Sequence, residues 1–426
     1  MKENREQLKN ETKSDGASVA FQAAEAEAAA EKKRKKIRLL LIVGILGAVL
    51  ITLVFILIGA LSRDSGWREV TVSGDLSESA SREFTFMYRM DKKYGGSDYR
   101  TVASVYKEAS VFAFRVFDVK SPHAEVHGLY ELNRSAGKPI VVEEALYRVL
   151  QLFQEHDSRL LFMGPVLEHY GNIFSSTDDV LAKDFDPYFD RESAEYLREL
   201  CEYLRDENAI RLELSGSNTV KLEISAELAD FGTEYGISTW IDLGWLKNAF
   251  ILDYLAEEIR KTGYVSGYLL SDDGLVACLD GSDEAYGFDL DDRIDATVQG
   301  CATVGYQGPM IVAVLRDYTL KTDPFLEFYY GYEDATFATA FVDPADGLYK
   351  AAVSDLYVFS RTLGAGEAMM LSARFFIADE IDEEALRGLR SKDTAVVYVK
   401  DGKIYYNGDL FQFTGIDEHY KAVRTD

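Results

Sequence analysis

The chain is 426 residues long and strongly acidic, with 46 Lys and Arg against 72 Asp and Glu and a formal net charge of −26. Such a surface repels phosphodiester backbones, so nucleic-acid binding is disfavoured. Three cysteines, Cys201, Cys278 and Cys301, with no C-x-x-C spacing, exclude a four-sulfur zinc site and give no sign of a disulfide framework.

Residues 1–38 are polar, with an Ala/Glu-rich stretch at 23–31 that favours helix and a basic cluster, KKRKKIR, at 32–38. From Leu39 to Leu61 the chain carries no charge at all. As a helix this segment spans roughly 35 Å, enough to cross a ~30 Å hydrocarbon core with some tilt. A cleaved signal peptide has a shorter apolar core, about 7–15 residues, and a small-residue cleavage site, which is missing here. Residues 39–61 are therefore expected to form an uncleaved, single-pass transmembrane helix. The basic flank places the N-terminus in the cytoplasm and the rest of the chain outside the cell membrane. Beyond residue 61 the balance is 36 Lys and Arg against 65 Asp and Glu. A solvated acidic surface of this kind keeps an exported domain soluble.

Residues 62–82, rich in Ser, Gly and acids, read as a linker, and 83–426 as the extracytoplasmic domain. Leu146, Val149, Leu150 and Phe153 recur at helical spacing, which predicts an amphipathic helix over 143–156. Leu197, Leu200, Cys201 and Leu204 mark a second helix, with Cys201 a small core residue. Ile210, Leu212 and Leu214 alternate, as do Val220, Leu222 and Ile224, on either side of Ser215-Gly216-Ser217-Asn218. That is the pattern of a β-hairpin. Residues 240–243 read as a short buried strand, followed by Gly244 and a long apolar helix to Lys261, closed by Gly263. Further hairpins turn at Asp272-Asp273-Gly274 and at Asp401-Gly402. Residues 311–315 and 356–359 read as strands, and 366–376 and 382–390 as helices. No period of 20–50 residues repeats, which excludes a solenoid. The class is α/β with mixed sheets.

Four stretches carry Gly, Pro or Asp at element ends: LNRSAGKP at 132–139, Met163-Gly164-Pro165, Asp242-Leu243-Gly244 and DPADG at 343–347. A Gly opening a helix after a strand lets a phosphate approach backbone N–H groups. It serves equally as an ordinary strand-to-helix turn. Asp-Pro-x-x-Gly is most often a turn.

In order and spacing the four stretches resemble the FAD:protein FMN transferase (ApbE) family, over about residues 83–376. Residues 131–142 are similar to that family's Leu-Asn element and 163–165 to its Gly-Pro segment. IDLGWLKNAFILD at 241–253 is similar to its signature LDLGGIAKGYAVD, and FVDPADG at 341–347 to its IIDPRTG. The resemblance implies a two-lobed domain holding FAD between its halves. A Mg²⁺ would bridge the pyrophosphate and neutralise its charge as FMN passes to a threonine of a partner protein. It implies cofactor contacts at Met87, Asn133, Gly164, Asp242, Gly244, Asn248 and Asp343, and metal contacts at Glu367 and Ser372.

Five specialised positions depart from the family pattern. The signature's second Gly is Trp245, which puts an indole where backbone should approach the cofactor. The signature lysine falls on Asn248, with Lys247 about 100° away around the helix. The His before the Asp-Pro element is Ala340, and Met-Gly-Thr becomes Met87-Tyr88-Arg89. The metal motif Ala-Asp-Ala-Leu-x-Thr falls on 366–371, GEAMML, where Ser372 restores a hydroxyl only by slipping one residue. Mg²⁺ demands near-ideal octahedral oxygen geometry, which a slipped, longer carboxylate serves badly.

Two readings follow. One is a degenerate family member with impaired or lost transferase activity, a binding or assembly module at the membrane surface, from which a plain surface interaction domain would differ only in binding no flavin. The other is an active Mg²⁺-dependent transferase attaching FMN to a threonine of a membrane-associated redox protein. In that case Glu367, Ser372, Asn248 and Asp343 take over the metal and phosphate roles. Two weaker patterns complete the inventory. His123 and His127 have i,i+4 spacing but no third ligand, and an exposed loop is expected there. Asp289, Asp291, Asp292 and Asp295 lack the Gly of a calcium loop and read as a solvated acidic turn.

Overall fold

The computed structural model describes residues 66–90, 96–156, 158–282, 284–294, 297–320, 328–390 and 393–425. The expected transmembrane segment, 39–61, lies outside the described residues. Among the described residues no helix is long and apolar enough to cross a membrane.

The first part of the chain forms β1 (Gly66–Glu69), β2 (Phe84–Met90), α1 (Gly96–Phe117), α2 (Leu129–Arg134), β3 (Ile140–Val141), α3 (Glu144–His156), α4 (Gly164–Phe174), α5 (Asp179–Lys183) and α6 (Arg191–Arg205). The hairpin β4 (Ile210–Ser215) and β5 (Thr219–Ile224) leads to α7 (Ala226–Tyr235), α8 (Lys247–Lys261), β6 (Gly267–Ser271) and β7 (Val276–Cys278). Next come β8 (Ala285–Ile294), β9 (Thr297–Gln307), β10 (Met310–Arg316), β11 (Tyr329–Gly331), β12 (Phe337–Thr339) and β13 (Asp355–Ser360). The chain ends with α9 (Ala365–Phe376), α10 (Glu383–Arg387), β14 (Thr394–Lys400), β15 (Lys403–Tyr406), β16 (Gln412–Ile416) and β17 (Lys421–Arg424).

Among the described residues the main sheet is nine-stranded, in the order β1-β2-β6-β7-β10-β13-β14-β15-β17. It is mixed through one pairing: β15 and β17 run parallel, while the other pairs are antiparallel. Its central strands are apolar at nearly every position because both faces are covered. Along β10, Ile311, Ala313 and Leu315 join one apolar cluster, and Met310, Val312 and Val314 join another. The first cluster includes Tyr106 of α1, Leu252 of α8 and Met369 of α9. The second includes Leu290 of β8 and Val304 of β9, from the sheet β16-β9-β8. Gly66–Asp426 is a single compact unit.

The predicted stripes on α3 and α6 are buried as spaced, Cys201 included. Burial pushes the Cys201 thiol up to about 12, which suits an inert core residue. Three expectations need correction. The segment read as a linker contains β1, which pairs with β2 from Gly66↔Met90 to Glu69↔Met87, so the folded domain begins before residue 83. Residues 240–243 form no strand, for a reason found in Asn133 below. The acidic turn expected around 289–292 is the strand β8, and its acids are anchored: Asp291 pairs with Arg316 at 3.3 Å and Asp292 accepts from Tyr420 at 2.9 Å. Asp295 lies outside the described residues.

Candidate functional site

The segment 239–253 runs from an irregular loop into α8, and two of the expected cofactor residues turn out to hold that loop. Asn133 Oδ1 accepts the backbone N–H groups of Trp240 and Ile241, each at 2.9 Å. Its Nδ2 donates to the carbonyls of Leu129 at 3.1 Å and Ile241 at 2.8 Å. The amide replaces the ladder partners that a strand at 240–243 would need. It is buried with both ends committed, so no group remains for a cofactor. Gly164 opens α4 against the same loop, where a Cβ would stand 2.6 Å from the carbonyl oxygen of Thr239. Both residues are architectural rather than ligand-facing.

Asp242, Gly244 and Asn248 do come together. Asp242 Oδ1 accepts the Gly244 N–H at 2.9 Å, and Gly244 adopts φ +50°, a left-handed turn suited to glycine. The chain then enters α8, where Asn248 is buried. Its Nδ2 donates to Glu83 at 2.9 Å and also to Asp273, while its Oδ1 is buried without a partner. These three residues border a cleft of about 460 Å³, a size typical of small-molecule sites. Arg82, Lys120 and Lys247 face Glu83, Asp118, Glu168 and Asp242 in its lining. Carboxylates thus outnumber the cations four to three, an unfavourable setting for a bare pyrophosphate.

Trp245 turns inward. Its ring lies 5.1 Å from that of Phe341, and together with Ala340 it borders a void of only about 10 Å³. A second void of about 40 Å³ lies between the indole, Asp273 and Tyr329. Two of the family departures, Trp245 and Ala340, therefore meet at one place, and the indole nearly fills it. The indole is not among the residues that line the larger cleft.

The remaining expected residues are dispersed. Glu367 pairs with His156 at 3.1 Å. Ser372 is buried, with its hydroxyl donating back to Ala368 and Met369 carbonyls at 2.8 and 3.1 Å. Five positions along α9 separate the two by about 140° around the helix, so they do not face one ion. Asp343 accepts the Ala345 N–H at 2.8 Å and Lys350 Nζ at 3.0 Å, and borders a separate pocket with His156, Arg159 and Arg374. Met87 lies on the half-exposed face of β2, opposite Phe86 and Tyr88, outside the cleft. His123 binds Asp118 at 2.8 Å with its ring largely buried rather than exposed, while His127 is exposed. Among the described residues no three His, Cys, Asp or Glu side chains converge as metal ligands. Glu367 and Ser372 therefore do not form one Mg²⁺ site, whereas the cleft has the size of a site for an organic ligand.

Sequence reasoning missed Asp253, the last residue of the signature. Its carboxylate accepts the Ala365 and Gly366 N–H groups at the start of α9. The signal was present: an acid ends the 241–253 motif and a Gly-rich helix start lies at 364–366.

With this geometry in place, similarity to solved structures is decisive for the architecture. The ApbE protein from Thermotoga maritima superposes with a TM-score of 0.55 over 78% of this chain and 94% of its own, at 15% identity. The chain has an ApbE-like fold. The flavin transferase ApbE from Vibrio cholerae agrees, with a TM-score of 0.53 over 83% of this chain and 98% of its own, at 12% identity. No family model matches the sequence, and no curated relative does either. The ApbE-like fold is thus shared at a sequence identity of only 12–15%.

Proposed function

We propose that the chain is a membrane-anchored, extracytoplasmic ApbE-like protein with impaired or lost flavin transfer, acting as a binding or assembly module. One observation carries this reading. Asn248 is an uncharged amide, already held by Glu83 and Asp273, at the position where the resemblance asks for a phosphate-binding lysine. The angular separation of Glu367 and Ser372 supports it, since metal-assisted transfer requires oxygen donors converging on one ion. Residues 39–61 supply the anchor, and their basic flank the orientation.

The test incubates the full-length chain in detergent micelles with FAD, Mg²⁺ and a peptide bearing an acceptor threonine. The expected product is unmodified peptide by mass spectrometry. A peptide carrying covalent FMN would overturn the proposal and restore the active-transferase reading. Quenching of flavin fluorescence without transfer supports a retained ligand cleft, and its absence a plain interaction domain.

A further inference from the structure

A groove of about 690 Å³ runs between α4, α6 and the end of α7. It shares only Glu168 with the cleft beside Asn248. Its walls are aromatic: Tyr196 lies 5.4 Å from His169 and 4.8 Å from Tyr235, and stacks within 9° of Phe231. Phe185 and Tyr235 line the groove at 37% and 51% exposure, and the neighbouring Val180, Leu181, Tyr188 and Phe189 are exposed as well. Aromatic side chains left exposed along a groove mark an interaction site more often than bare surface does.

The rim carries one sign of charge. Glu168, Asp184, Asp190, Glu192, Glu195 and Glu199 line the groove, and among the described residues no Lys or Arg does. Glu192, Glu195 and Glu199 stand on one face of α6 at i, i+3 and i+7, where like charges cost helix stability. Arg191 offsets one of them, Glu195, at 2.7 Å. Burial lowers the pKa of His169, against the pull of Asp190 and Asp186, and its Nε2 pairs with the Phe185 carbonyl at 2.7 Å. Carboxylates beside open aromatic faces recognise ammonium and guanidinium groups through ion pairs and cation–π contacts.

We infer that this groove docks a basic polypeptide segment of a partner protein, with several Lys or Arg side chains spaced by aliphatic residues. The carboxylates take the cationic heads, and the aromatic walls take the aliphatic parts. The inference does not depend on flavin chemistry, because the groove and the cleft lie on different sides of α4.

The test measures fluorescence anisotropy of a labelled peptide, KLKKLRKLKK, on the full-length protein in detergent micelles at low salt. A version with Glu at every Lys and Arg position is the control peptide, and saturating FAD is added in parallel. The basic peptide should bind and the acidic one should not, with FAD leaving the affinity unchanged. Glu192→Gln/Glu195→Gln/Glu199→Gln should weaken binding about tenfold or more, and Tyr235→Ala about fivefold. Glu380→Gln/Glu384→Gln/Glu418→Gln removes as many exposed carboxylates elsewhere and should weaken it less than about twofold, a screened long-range effect. Equal losses from the two triple variants, or no loss from Tyr235→Ala, would reduce the effect to diffuse charge and overturn the inference. So would failure of the peptide to bind. Circular dichroism melts of each variant confirm that the fold is intact.

Discussion

The carboxylate of Asp253 accepts the backbone N–H of Gly366 at 2.9 Å and that of Ala365 at 2.6 Å, so the end of one sequence motif caps the helix that begins the next. The fit is close: a Cβ on Gly364 would stand 2.6 Å from Asp253 Oδ2. Capping at a helix N-terminus favours the ionised acid, yet burial outweighs it and pushes the carboxyl up to about 6 from its ordinary 3.8.

A pH dependence follows. An acid whose pKa is higher in the folded chain binds protons preferentially when folded, so its contribution is full below about pH 3.8 and is lost as pH rises through about 6. The shift corresponds to roughly 3 kcal/mol. Relative to wild type, Asp253→Asn should therefore gain on the order of 3 kcal/mol between about pH 4 and pH 7 in urea denaturation. A difference that stays flat over that range would show that Asp253 titrates normally.

Asn133 offers a second test. Truncation to Ala strands the buried N–H groups of Trp240 and Ile241 and the Ile241 carbonyl. Each unsatisfied group costs ~1–3 kcal/mol, so Asn133→Ala should lower stability by roughly 4 kcal/mol. A loss below about 1 kcal/mol would return the residue to the candidate ligand contacts.

These two residues also mark where sequence reading stops. Helix α3 and the β4–β5 and β6–β7 hairpins were legible because period and turn chemistry are local. The β8 strand was not, because Asp291 and Asp292 look like solvent-facing acids until Arg316 and Tyr420, distant in sequence, are brought to them. Residues 240–243 have the composition of a strand, but their hydrogen-bond partner is a side chain more than a hundred positions earlier. Within the site, the grouping of Asp242, Gly244 and Asn248 follows from one helical motif. The separation of Glu367 from Ser372 was readable in principle from a 100° step per residue.

Trp245 provides the steric test. Replacing it with Gly removes the ring packed on Phe341 and joins the two small voids beside it. The indole is only half-buried, so the cost should be about 2–4 kcal/mol, at or below the range for fully buried tryptophan. If the indole obstructs a dinucleotide, Trp245→Gly should bind FAD more tightly than wild type in fluorescence titrations. Identical affinities would mean that the ring obstructs nothing.

Where β10 and β13 pair within the main sheet, Arg316 Nε donates to Asp355 Oδ1 at 3.1 Å, and Tyr318 and Tyr357 hydroxyls donate to the same carboxylate at 2.9 and 3.2 Å. Burial still dominates and pushes Asp355 up to about 7. Arg316→Met leaves a fully buried acid with only hydroxyl donors, and removing one partner of such a pair costs about 3–5 kcal/mol while the acid is charged. Lowering the pH lets the stranded carboxyl take up a proton and sheds most of that penalty. The variant should therefore be several kcal/mol less stable than wild type near pH 8, and the deficit should shrink toward pH 5. Denaturation curves at those two pH values decide it: an equal deficit at both would mean that Arg316 contributes packing rather than charge.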